Sequence, residues 1–98
     1  MKKHPLPILW PWEARDILRL DGPDNDALLE RLIEAIPPYL YETTGYRPGR
    51  GGYSPVARTA AGFILQQWYF GESADTVKLQ RVIDSLLKAL SAERETNG

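Results

Sequence analysis

The chain of 98 residues carries twelve Lys and Arg against thirteen Asp and Glu, a formal charge of −1, with 43% hydrophobic residues, one His and no Cys. Length and composition suit one small globular domain, residues 1–98, and the balanced charge argues against coating nucleic acid through a basic excess. The absence of Cys excludes disulfide scaffolds, thiolate catalysis and Cys-based zinc sites, and the lone His4 has no second His for a metal site or a catalytic dyad.

No apolar run approaches the roughly 20 residues that cross a bilayer. The Pro-broken stretch after the basic start lacks the apolar centre of a signal peptide. The expectation is a small intracellular domain, not an enzyme, with no cofactor and no metal.

The pattern predicts an all-α fold, a small bundle of about four helices with a long Gly/Arg/Tyr loop between the second and third. Pro5, Pro7 and Pro11 make residues 1–10 irregular. Pro11 suits the first position of a helix with Glu13 in its first turn, reaching Leu20 and presenting Ala14, Ile17 and Leu18 on one face. Asp21, Gly22 and Pro23 end it, and Asp24, Asn25 and Asp26 offer N-caps for the next helix. Its apolar positions are Leu28, Leu29, Leu32, Ile33 and Ile36, continued by Tyr39, Leu40 and Thr43. Pro37 and Pro38 interrupt it, which predicts a kinked or restarted helix to about Thr44 with Gly45 as C-cap.

Residues 45–54 hold four Gly and one Pro and read as a loop. Ser54 and Pro55 form an N-cap and N1 pair for a third helix to Phe70, with Ala57, Ala60, Ala61, Ile64, Leu65 and Trp68 inward and Gly71 at its end. After a short connection with cap candidates Ser73, Asp75 and Thr76, a last helix repeats Leu79, Val82, Ile83, Leu86, Leu87 and Leu90. Residues 93–98 are polar and expected to fray.

Charge is segregated along the chain. Residues 21–44 carry one basic and six acidic side chains, whereas residues 45–71 carry three Arg and no acid. Within the loop, Arg47 and Arg50 lie among glycines between Tyr46 and Tyr53, a set that can grip phosphate or a protein partner. A solvated, flexible connection explains the same residues equally well. Neither a Walker spacing nor a preceding strand supports a nucleotide cradle. Asp21, Asp24 and Asp26 lack the central Gly and distal Glu of a calcium loop, so capping is the better reading. Ser54 and Thr44 have no His to activate them. Trp68 falls on the apolar stripe, while Trp10 and Trp12 on the Pro-rich entry are candidate core lids or interface anchors.

The run from Ile17 through Leu-Arg-Leu to Asp21 and Gly22, the run from Asp24 to Ala35, and the stretch from Tyr39 through Glu42 and two Thr to Gly45 resemble the head–tail connector (head completion, or adaptor) proteins of tailed bacteriophages and prophages. Pro55 to Phe70, with Tyr69 near the family's usual tyrosine, fits the same plan. The resemblance covers residues 13–70. The long amphipathic segment in 72–98 and the Pro37–Pro38 pair depart from it.

The resemblance implies a structural protein that forms a homo-oligomeric ring between the portal protein and the tail-completion proteins. DNA is then only the content of the passing channel, with no membrane partner. The implied place is the virion head–tail junction, reached from the host bacterial cytoplasm during assembly. A ring needs a head-to-tail interface, and the charge map pairs the acidic residues of 21–44, Asp24 and Asp26 among them, with Arg47, Arg50 or Arg58. The alternative is a small helical DNA-packaging or DNA-binding accessory module that grips DNA through residues 45–58.

Overall fold

The computed structural model describes residues 7–71 and 75–97, with side chains as far as residue 93. His4 and Ser73 lie outside the described residues. Four helices follow in order: α1 (Pro11–Leu18), α2 (Asp26–Thr44), α3 (Pro55–Phe70) and α4 (Thr76–Asn97), with a 3-10 turn, Pro23–Asn25, before α2. The fold is the all-α bundle that the periodicities predict. Its Cα extents are 41 × 40 × 18 Å, a plate rather than a ball.

The α3 helix is the centre of the packing. Ala57, Ala60, Ala61, Ile64 and Leu65 are buried on it, and their small first half admits the other helices closely. Gly62 serves the same purpose, since a Cβ there would stand 3.4 Å from Ile17 Cδ1 of α1. Leu29, Ile33, Ile36 and Leu40 of α2, Ile83 and Leu90 of α4 and Ala14 and Leu18 of α1 pack into the same core. Trp68 is half-buried and meets Tyr39 edge to face at 5.4 Å.

Several elements differ from expectation. The α1 helix stops at Leu18, because Arg19 turns left-handed (φ 58°) and the Leu20 N–H closes back on the Arg15 carbonyl at 2.9 Å. The acidic run does not cap α2. Asn25 holds the N-cap position but its side chain donates to the Tyr69 hydroxyl at 2.8 Å rather than capping, and Asp26 is already helical and paired with Arg15 at 2.5 Å. The tight Pro23–Asn25 turn causes this, since it leaves Asn25 at φ −105°, ψ 13° rather than in the extended geometry of a capping residue.

On α2, Leu28 is exposed and Thr44, not Thr43, is buried. At the other end of the chain, α4 runs on to Asn97 where fraying was expected. The cap expectations at Ser54 and Asp75 hold. Ser54 Oγ accepts from the Ala57 N–H at 3.2 Å, and Asp75 Oδ1 accepts from the Lys78 N–H at 3.1 Å.

Pro37 and Pro38 do not restart α2, which is one helix of 19 residues. An interior proline costs about 3 kcal/mol. The flanking Ile33, Ile36 and Leu40, each at most 4% exposed, anchor the helix on both sides of the pair and hold it together. Proline has no N–H, so the carbonyls of Ile33 and Glu34 lack the i+4 donor that an interior helical turn normally supplies. The irregular entry also contributes to the core: Ile8 and Leu9 are buried, which the proline punctuation hid.

Candidate functional site

The loop after α2 is a built turn. Gly45 ends α2 in the left-handed region (φ 77°), and its N–H bonds the Tyr41 carbonyl at 2.8 Å. Tyr46 then turns inward to 5% exposure. Its backbone N–H donates to Thr44 Oγ1 at 3.0 Å, and its hydroxyl accepts from the Ser54 N–H at 2.8 Å. One side chain therefore ties the start of the loop to its end. Tyr53 packs against it at 6.5 Å between rings. Burial, and secondarily the Tyr46 hydroxyl, pushes the Tyr53 pKa up.

Between these anchors, Gly49 and Gly52 exchange two backbone hydrogen bonds, at 3.2 and 3.0 Å. Arg50 and Gly51 form the tip. The positive φ of Gly52, 95°, is what lets the chain reverse there. Arg47 donates to the Tyr41 hydroxyl at 3.0 Å, and its guanidinium carbon lies 4.8 Å from the Tyr41 ring centre. Arg50 is exposed and has no ion pair among the described residues.

The sequence candidates thus divide. Arg47 and Arg50 are exposed on a hydrogen-bonded turn, whereas Tyr46, grouped with them as an interaction residue, is a core anchor, and Tyr53 is half-buried. Arg58 belongs to a different cluster. It pairs with Glu13 and donates through Nε to the Ile8 carbonyl at 3.3 Å, fastening α3 to the entry segment. Glu13 is oriented in turn by the Trp10 N–H, which donates to its other carboxylate oxygen at 2.9 Å. Asp26 is tied to Arg15, with its second oxygen buried and without a hydrogen-bond partner, while Asp24 is exposed.

Trp10 and Trp12 stand at the surface, 43% and 61% exposed. Trp10 walls a groove of about 280 Å³ with Pro7 and Pro11, facing Glu30, Ile33 and Glu34 of α2. Glu30 and Glu34 are not among the candidates that the sequence singles out. The available signal was two like charges four residues apart on a helix, an unfavourable spacing unless a cation comes between them.

Among the described residues, no group of His, Asp or Glu could hold a metal ion, and no helix is long and apolar enough to cross a membrane. No family model matches the chain, and neither a curated protein nor a solved structure matches it.

Proposed function

We propose that the chain is a structural protein of a tailed phage or prophage, a head–tail connector subunit that closes into a homo-oligomeric ring between portal and tail around the DNA channel. The resemblance of residues 13–70 supplies the family. The observation that carries the reading is the unpaired, segregated surface charge. The ion pairs among the described residues, Arg15–Asp26 and Arg58–Glu13, leave Asp24, Glu30, Glu34 and Glu42 on one segment and Arg50 on another without an internal partner. Two different, complementary surfaces on one subunit are what a head-to-tail ring requires.

The exposed Trp10 and Trp12 add aromatic anchors of the kind that concentrate interface energy. Electron micrographs of the purified chain, alone and mixed with the portal protein of the same genome, are expected to show closed rings. A chain that forms no ring in either case, and binds duplex DNA as a monomer with a steep salt dependence, would overturn this reading in favour of the DNA accessory module.

A further inference from the structure

We infer that the groove between the Pro-rich entry and α2 is the receptor for the Arg50 tip of a second copy of this chain. The inference rests on the ring reading above and names its contact. The entry segment lines the groove with Leu9, Trp10 and its flanking prolines, and α2 lines it with Glu30, Ile33 and Glu34. An aromatic side chain and two carboxylate side chains lining one groove are the chemistry that binds a guanidinium, which can stack on a ring and donate to oxygens in its plane.

Pro37 and Pro38 add to it. The carbonyls of Ile33 and Glu34, at the level of the groove, have no i+4 N–H to accept from. A guanidinium has five donors in a planar fork and no acceptor, so a groove lined by two carboxylate side chains suits it better than it suits an ammonium.

The occupant is argued from the same structure. Arg50 is exposed, unpaired among the described residues, and held at the tip of a turn fixed by the Gly49–Gly52 bonds and by Tyr46. Docking therefore costs the rotamer freedom of the Arg50 side chain but little freedom of the backbone that carries it. It does not line the groove of its own subunit. Glu34 lies ten residues before the end of α2, about 15 Å along the helix axis, and Arg50 follows that end. Plug and socket are thus separate surfaces, and each copy offers one of each. Arg47, spent on Tyr41, and Arg58, spent on Glu13 and Ile8, are not available for this role.

The test uses the full chain and two half-blocked variants. Arg50→Ala keeps the socket and loses the plug, whereas Glu30→Gln with Glu34→Gln keeps the plug and loses the socket. Sedimentation is expected to show each variant self-associating at least about tenfold more weakly than the wild type. Mixed, the two variants should form a 1:1 complex that grows no further, because one intact contact joins them. Arg50→Lys should fall between wild type and Arg50→Ala, since it keeps the charge and loses the planar fork.

Rings of unchanged stability in Arg50→Ala would overturn the inference and leave the ring reading standing. The 1:1 complex without any closed ring from the wild type would uphold the contact and remove the ring. A wild type that never self-associates, together with no complex in the mixture, would overturn the inference and leave the ring reading to the micrographs taken with the portal protein.

Discussion

Replacing Tyr46 by Phe removes one oxygen from the structure and leaves the ring in place. The lost group is the acceptor for the Ser54 N–H at 2.8 Å, in a side chain that is 5% exposed. An amide left without its partner at a partly buried site costs about 1 kcal/mol. For 98 residues the entropy of unfolding is about 0.2 kcal/mol/K, so the melting temperature should fall by about 5 °C.

Tyr46→Ala removes the ring as well and should cost about 3–5 kcal/mol, or about 15–25 °C. Thermal unfolding followed by circular dichroism measures both. The local consequence separates an anchor of the turn from a residue that merely fills space. Trypsin can cut after Arg50 only when the turn opens, while Pro48 protects the bond after Arg47. Ile83→Ala, a substitution at a fully buried α4 position, is the control of comparable global cost. Tyr46→Ala should be cut after Arg50 at least about tenfold faster than that control, because proteolysis tracks the population of the open form. Equal cutting rates in the two variants, or a Tyr46→Phe variant as stable as the wild type, would refute the anchoring role.

Ser54→Ala removes the N-cap of α3 and should lower stability by about 1 kcal/mol, read by urea unfolding. Arg15→Ala leaves Asp26, one of whose oxygens is already buried without a partner, and should cost about 1–2 kcal/mol; a double-mutant cycle with Asp26→Ala should show that much of the cost is shared. Tyr53 has a folded pKa above the usual 10.0, so the folded state holds its proton longer than the unfolded chain. Its contribution is fully present below pH 10 and is lost as pH rises through the raised folded value. Urea unfolding at pH 9 and pH 11 should therefore show a smaller alkaline loss in Tyr53→Phe than in the wild type.

The helices were legible because each carries a 3.6-residue apolar stripe and clear punctuation. The Ser54–Pro55 start and the Gly45 and Gly71 stops appear where local chemistry alone puts them. Three features were not legible. Ile8 and Leu9 are core residues in a segment without periodicity, fastened by Arg58 from 50 residues away, and no local pattern encodes that contact. The Pro37–Pro38 pair argued for a break, but packing of Ile33, Ile36 and Leu40 outweighed the propensity.

Tyr46 looked like a partner of the loop arginines because Tyr beside Arg and Gly is typical of binding loops. Its burial depends on where the Ser54 N–H ends up, which is a tertiary fact. The arginines themselves were separable only in the folded chain, where Arg47 and Arg58 find internal partners and Arg50 does not.

The prolines within α2 have a consequence for how this surface can change under mutation. The acceptors they uncover are backbone atoms of Ile33 and Glu34, and no substitution at either of those positions can delete a carbonyl. They are controlled instead from one turn downstream, by whether residues 37 and 38 possess an N–H. Side chains around the groove can therefore change while the two missing i+4 donors stay missing. Replacing Pro37 and Pro38 by Ala would restore both backbone donors without altering any side chain that lines the groove.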